Sequence, residues 1–391
     1  MSLAAVVYVS DAGGRQWALS RLAGRSVLLR MILTAVRAGV REIGLPRPLA
    51  HPRLLSQVSR RPELARAVFS LEDRDMGSGP ILLLPAHAVV DVWSLGKLCE
   101  AGESGMTATL AESKGTPVPI LVMAAEQARP LRDRLVAGAP IGEELETLAG
   151  GGGFTPMSGS GYFIPVTDRE SLRKAEATLY RSLGTEADSL VDTLVNRRCS
   201  RILTRILLRL QATPNVVTLL GFGFGLLAAW QFWFATPGSS LLGLLLYVLS
   251  VVADHSDGDI ARLTFQESAL GRWLDVSADT VTLALLVLAM AATATVVGGP
   301  SMYVAGGLAA IGIVMSAFFT YVRPAQPAAS RGLGRVLARL GNRDPFYLLL
   351  LGFIFLNWKA RAALPWLVWL LAVGSQAYWL SCLAKKKAGT L

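Results

Sequence analysis

Cysteine, histidine and charge are all scarce in this 391-residue chain. Its three cysteines, Cys99, Cys199 and Cys382, stand far apart and lack histidine partners at metal-binding spacing. Neither a zinc site nor a disulfide framework is therefore expected, and isolated thiols suit the reducing side of a membrane. Charged residues make up only 17% of the chain, against roughly 25% in ordinary soluble domains, while 52% are hydrophobic. That composition excludes disorder and argues against a wholly soluble protein. Met1–Gly14 has no basic leader, and its apolar run, Leu3–Val9, is short and stops at Ser10-Asp11-Ala12-Gly13-Gly14, so a signal peptide is not expected there.

The scarcity is most uneven for acidic residues. Only seven of the 28 lie beyond residue 200, and six of those fall between 254 and 279: Asp254, Asp257, Asp259, Glu267, Asp275 and Asp279. The seventh is Asp344. The net charge is nonetheless +10, a balance that fits either nucleic acid or an anionic membrane face. The hydrophobic C-terminal half favours the membrane, and no nucleic-acid partner is expected.

Residues 1–190 read as an α/β domain. Short apolar runs at Leu3–Val9, Glu42–Leu45, Ile81–Leu84, Ile120–Met123 and Tyr162–Val166 alternate with helical patterns such as Leu28–Ala38 and Leu131–Val136. Such alternation predicts a layered fold with a mostly parallel sheet. Gly150–Gly153 reads as a loop, and Asp168–Leu183 as a capped helix. Residues 191–213 follow as an amphipathic segment. Arg197, Arg198, Arg201, Arg205 and Arg209 interleave with Ile202, Leu203, Ile206, Leu207, Leu208 and Leu210, the pattern of a helix in the membrane interface.

From 214 to 391 six membrane spans are expected: Pro214–Ala235, Leu241–Ala253, Leu270–Val297, Tyr303–Val322, Phe346–Trp358 and Leu364–Leu383. The second and fifth are short as apolar runs and should extend into flanking polar residues. Arg262, Arg272, Arg323, Arg331, Arg335, Arg339, Arg343 and Lys385–Lys387 fall on one side of the membrane, with only Lys359 and Arg361 on the other. The bias predicts that both termini and the acidic cluster face the cytoplasm. The fold class expected is thus an N-terminal α/β domain joined to an all-α transmembrane domain.

Read as helix, Asp254, Asp257, Gly258, Ala261 and Arg262 form one stripe at the end of the second span, and Asp275 and Asp279 lie one turn apart at the start of the third. A short turn between the spans would bring the two stripes face to face. Carboxylates at membrane depth cost about 2.5–3.5 kcal/mol each on insertion scales and repel one another. The window contains no lysine to neutralise them. All-oxygen ligation suits a hard ion, Mg²⁺ or Mn²⁺, and four carboxylates suit two ions better than one. Paired hard ions typically clamp a phosphate or pyrophosphate. Gly258, Ala261 and Gly271 leave room for a bulky group against the backbone.

The full pattern Asp254-x2-Asp257-Gly258-x2-Ala261-Arg262-x8-Gly271-x3-Asp275-x3-Asp279 resembles the signature of the CDP-alcohol phosphotransferases. Asn196-Arg-Arg-Cys-Ser200, Thr213-Pro-Asn-Val-Val-Thr218 and Tyr321-Val-Arg323 resemble flanking family segments, although Pro324-Ala-Gln-Pro replaces the usual continuation. The resemblance covers roughly residues 195–385. It implies an integral membrane enzyme of lipid biosynthesis that transfers a substituted phosphate from a CDP-alcohol to an alcohol or alcohol-phosphate acceptor, releasing CMP. It implies Asp254, Asp257, Asp275 and Asp279 as metal ligands and Asp279 as the base that takes the acceptor's proton. Gly258, Ala261 and Gly271 would line the cytidine pocket, Arg262 would steady the motif or the pyrophosphate, and Arg323 is a candidate for binding an anionic acceptor. A homodimer in a bacterial or archaeal cytoplasmic membrane is part of the same expectation. A non-catalytic scaffold or a transporter is the alternative of another class. A transporter, however, would spread its ionisable groups along a path near the bilayer midplane.

The front of the chain resembles the sugar-phosphate nucleotidyltransferases, through a strand, a glycine turn, Arg15, Leu22-Ala-Gly-Arg-Ser-Val-Leu-Leu-Arg30 and Ala38-Gly-Val-Arg-Glu-Ile-Gly44. Fused ahead of this membrane domain, it resembles the bifunctional inositol-phosphate cytidylyltransferase/di-inositol-phosphate phosphate synthases, in which it would make the CDP-alcohol. Yet Arg25-Ser26 stands in place of a Lys-Pro pair, and His87 or Ala86 stands where that family has a metal-binding aspartate. A domain without catalysis is expected, with Asp11, Arg15 and Asp91 as the residues to test.

Overall fold

The computed structural model describes residues 3–74, 79–110, 118–151, 153–157, 161–183, 196–234, 236–322 and 343–388. Contacts divide the chain into two units, Met1–Ser182 and Leu183–Leu391.

In the first unit the strands are β1 (Ala4–Tyr8), β2 (Arg21–Leu22), β3 (Arg25–Ser26), β4 (Glu42–Leu45), β5 (Val68–Ser70), β6 (Ile81–Pro85), β7 (Ala88–Val90), β8 (Ala108–Leu110), β9 (Ile120–Met123), β10 (Thr155–Pro156) and β11 (Phe163–Pro165). Seven of them form one sheet in the order β10-β8-β9-β6-β1-β4-β5. β1 pairs in parallel with both β4 and β6, and β9 runs antiparallel between β6 and β8. β1 and β6 are buried at every position, which is why both read as unbroken apolar runs rather than alternating ones. β11 leaves this sheet and pairs antiparallel with β7. Helix α1 (Val27–Arg37) is capped by Ser26, whose hydroxyl accepts from the Leu29 amide, and α2 (Val92–Glu103) is capped by Asp91. The helix expected after residue 168 spans Arg169–Arg181, with the Asp168 carboxylate accepting from the Ser171 amide at 2.7 Å.

The second unit is helical: α3 (Arg197–Arg209), α4 (Pro214–Trp233), α5 (Pro237–Thr264), α6 (Ala269–Gly298), α7 (Ser301–Val322), α8 (Arg343–Lys359) and α9 (Leu364–Ala388). Among the described residues five helices are long and apolar enough to cross a membrane, carried by α4, α5, α6, α7 and α9, and α8 holds a shorter apolar stretch, Phe346–Lys359. The chain is an integral membrane protein. Their exposed faces carry Leu, Val, Ile, Phe and Trp, as lipid contact requires.

On α3 the division of faces differs from a simple arginine-versus-aliphatic split. Arg197, Ser200, Thr204 and Leu208 are buried, while Ile202, Ile206 and Leu210 are exposed beside Arg198, Arg205 and Arg209. Small and polar residues let α3 lie close to α5, where the Ser256 hydroxyl donates to the Ser200 carbonyl at 3.3 Å. The aliphatic stripe is left outward.

Glycines bring α4 close to its neighbours. A Cβ at Gly221 would sit 3.1 Å from the Ala253 Cβ on α5, and one at Gly225 would sit 2.5 Å from the Thr282 hydroxyl on α6. Gly225→Ala should therefore push α4 and α6 apart and cost about 1–3 kcal/mol. The check is a lowered thermal midpoint of the detergent-solubilised protein, with Gly223→Ala, which meets open space, as the control.

Candidate active site

Helix α5 is one continuous 28-residue helix, so its apolar run and its acidic end share one axis. Phe265, in the left-handed region at φ 55°, ends it, and the Gln266 amide returns to the Ala261 carbonyl at 2.8 Å. Ser268 then caps α6 by accepting from the Gly271 amide at 2.9 Å. This tight link turns the chain back on itself, so the last turns of α5 face the first turns of α6.

The turn brings Asp254 and Asp257 from α5 together with Asp275 from α6, each offering an oxygen within 4.8 Å of the others. Asp279, one turn further along α6, lines the same cleft with Thr218, Gly221, Phe222, Ser250, Ala278 and Thr282. The cleft is small and partly open to solvent. It suits ions and one reacting phosphate group rather than a whole nucleotide.

The donor set fits a hard divalent cation. Every grouped ligand is a carboxylate oxygen, and Asp275 Oδ1 is buried with no hydrogen-bond partner. Asp257 is buried and oriented by the Thr218 hydroxyl, which donates to its Oδ2 at 2.5 Å. Thr218 lies in the segment that resembles the family's entry to its first span, but its bond to a carboxylate 39 residues away is not visible in spacing. His255 directly follows Asp254 in sequence and is not part of the carboxylate group.

The remaining motif residues are not among those that line this cleft and lie on the adjoining turns. Gly258 and Ala261 lie on the last turns of α5, and Gly271 on the first turn of α6. A Cβ at Gly271 would sit 3.2 Å from Asn215 Oδ1, so Asn215 of α4 bounds the space the glycine leaves. Arg262 Nη2 donates to Asp259 Oδ1 at 2.8 Å, and the buried Arg197 donates to the same oxygen at 3.1 Å. Asp259 is thus engaged by two arginines, while Asp254, Asp257 and Asp275 converge on one another. Arg323, Arg331, Arg335 and Arg339 lie outside the described residues.

In the first unit, His87 follows β6 and is fully buried, with its Nε2 2.8 Å from the Ser10 hydroxyl and 3.8 Å from Asp11 Oδ2. Burial pushes the imidazole below its ordinary value, with Asp11 acting weakly in the opposite direction, so the ring is neutral at pH 7. It fills the space over the glycine turn, since a Cβ at Gly14 would lie 2.9 Å from the ring. Arg15 donates to the Gly138 carbonyl at 2.9 Å, and Asp91 caps α2 by accepting from the Ser94 amide at 2.9 Å. Arg25 is crowded by Arg61 and Arg21, and burial with these like charges lowers its pKa.

Membrane helices that gather carboxylates in a cleft define the class: a membrane protein with an acid-lined candidate metal centre. Comparison narrows this class: residues 211–374 match the CDP-alcohol phosphatidyltransferase family. Enzymes of this family generally use divalent metals. The chain is also similar to a protein of Archaeoglobus fulgidus named "Bifunctional IPC transferase and DIPP synthase", 28% identical over 215 residues, which are 53% of this chain and 40% of the relative. A protein of the same name from Thermococcus kodakarensis is 32% identical over 157 residues, 40% of this chain and 34% of the relative. One from Aquifex aeolicus is 30% identical over 118 residues, 30% of this chain and 26% of the relative. The aligned segments thus span 26–40% of these relatives' own length.

Thr218→Val removes the hydroxyl that orients Asp257 while keeping its shape. Partners behind metal ligands are commonly worth about 10–100-fold in metal affinity. A Mn²⁺ titration followed by electron paramagnetic resonance should show a loss in that range, and unchanged affinity would argue against this role for Thr218.

Proposed function

We propose that this protein is a divalent-metal-dependent CDP-alcohol phosphotransferase of phospholipid or polar-lipid biosynthesis. The observation that carries the reading is the convergence of Asp254, Asp257 and Asp275 within 4.8 Å on a cleft that Asp279 also lines. Asp254, Asp257, Asp275 and Asp279 hold Mg²⁺ or Mn²⁺, as two ions. When bound, such ions supply charge to stabilise the phosphoryl oxygens and the departing nucleotide.

The chain's own groups do the rest. Asp279 accepts the hydroxyl proton of the acceptor, an alcohol or alcohol phosphate. The freed oxygen bonds to the β-phosphorus of the CDP-alcohol. The bond from that phosphorus to the oxygen bridging it to the α-phosphate breaks, and CMP leaves with the bridging oxygen. Thr218 keeps Asp257 turned into the cleft. Gly258, Ala261 and Gly271 border the cytidine site, and Arg262, whose guanidinium lies over Gly258, meets the pyrophosphate. The arginine distribution supports a cytoplasmic site and cytoplasmic termini. Pairing of two copies through the spanning helices belongs to the same proposal.

Asp279→Asn keeps the shape of the base and removes its proton affinity. With a panel of CDP-alcohols and acceptors in Mn²⁺, the wild-type protein should release CMP and the variant should lose at least about 100-fold of the rate. The variant should keep its elution profile. Undiminished release would refute Asp279 as base, and no release by the wild type with any donor would refute the reading itself.

The names of the relatives favour a second reading, in which the first unit also makes the CDP-alcohol from CTP and an alcohol phosphate. The crowded cations around Arg25 would suit an anionic substrate. His87 weighs against it. A neutral, fully buried imidazole already bonded to Ser10 is a poor substitute for a carboxylate that holds Mg²⁺. On the reading preferred here, the protein incubated with CTP, Mg²⁺ and a range of alcohol phosphates yields no pyrophosphate. Pyrophosphate formation above background would establish the bifunctional alternative.

A further inference from the structure

We propose that Asp259 is the positioning residue for Arg262, and through it for an anionic phosphate of the nucleotide donor. The inference rests on the phosphotransferase reading above. Asp259 lies between the motif residues Gly258 and Ala261 but is not one of the pattern's defining positions. Its side chain is only 1% exposed, yet it meets two guanidinium groups. Arg197 reaches it from α3 and is itself buried, whereas the Arg262 side chain is 40% exposed. The carboxylate is therefore fixed from one side by α3 and holds Arg262 on the other.

Three details distinguish this from a simple staple between α3 and α5. Both arginines share Asp259 Oδ1, at 3.1 and 2.8 Å, while Oδ2 is buried with no hydrogen-bond partner. A staple built for stability would use both oxygens, as bidentate arginine pairs do. Of the two guanidinium groups Arg262 is the exposed one, its side chain 40% accessible against 8% for Arg197, so it is the one that can meet a ligand. Finally, a Cβ at Gly258 would lie 3.4 Å from Arg262 Nη2 and 3.6 Å from Nη1, so the guanidinium rests over the bare backbone of the motif glycine. Asp259 thus holds a partly exposed cation on the motif's own helix, close in sequence to the carboxylates that hold metal. A phosphate-bearing nucleotide needs both signs of charge, and the clamp supplies the positive one in a fixed place.

The test uses the full chain in detergent, with CMP as probe in the presence of Mn²⁺, followed by equilibrium dialysis. Asp259→Asn should weaken CMP binding about tenfold, the scale of a lost hydrogen bond to a charged group. Arg262→Gln should weaken it at least as much. The double variant should match Arg262→Gln alone, because Asp259 acts through that side chain. Mn²⁺ uptake without CMP should be unchanged in all three, which a general loss of structure would not allow. Asp259→Asn binding CMP like wild type would overturn the clamp, as would losses that multiply in the double variant. If stranding Arg197 prevents Asp259→Asn from folding, Arg197→Met with Asp259→Leu removes the buried pair together and should show the same CMP loss. Wild-type CMP affinity in that pair of substitutions would equally overturn the proposal. Failure of the wild-type protein to bind CMP at all overturns the donor reading together with the clamp. Wild-type binding that Asp259→Asn leaves untouched overturns the clamp alone.

Discussion

Carboxylates crowded at the end of membrane-spanning helices repel one another, and the structure around them is arranged to make that repulsion useful. Asp254, Asp257 and Asp275 bring carboxylate oxygens within 4.8 Å of one another, an arrangement that a bound cation would stabilise. Everything that builds the cleft serves this convergence. The short link after Phe265 folds α6 back on α5, the glycines of α4 admit a third helix, and Thr218 turns Asp257 inward. A hard cation would convert an energetic cost into a site for phosphate chemistry.

Local periodicity made much of the centre legible in advance. Asp254, Asp257, Gly258, Ala261 and Arg262 share a stripe because helices repeat every 3.6 residues, and α5 carries them on one axis as expected. The buried strands β1 and β6 were legible for a similar reason, as apolar runs bounded by turn residues. Contacts between distant segments were not legible. Thr218 with Asp257 and Arg197 with Asp259 span 39 and 62 residues, and nothing in either spacing marks the partners. Asp259 looked like one more member of the acidic cluster, and only the fold separates it from the residues that converge. The faces of α3 were misread in part for the same reason: burial of Ser200 and Thr204 is set by closeness to α5, not by hydrophobicity.

The first unit shows the converse. Its α/β layering follows from the alternation of runs, but what His87 can do is set by its surroundings more than by its identity. His87 is seated under the glycine turn, bonded to Ser10 and neutral. An exposed histidine there would leave room for metal, whereas a buried one closes the space.

The unbroken length of α5 has a mechanical consequence. At 1.5 Å per residue its 28 residues extend about 42 Å, while a bilayer's hydrocarbon core is only about 30 Å thick. The excess amounts to roughly two helical turns, and the acidic residues occupy that end. That polar end can project past the hydrocarbon, and its depth relative to the headgroups varies with helix tilt and acyl-chain length. Lipid composition thereby becomes a mechanical input to the reaction centre: a thinner or thicker host membrane raises or lowers the same aspartates against the water boundary without altering a single contact between them.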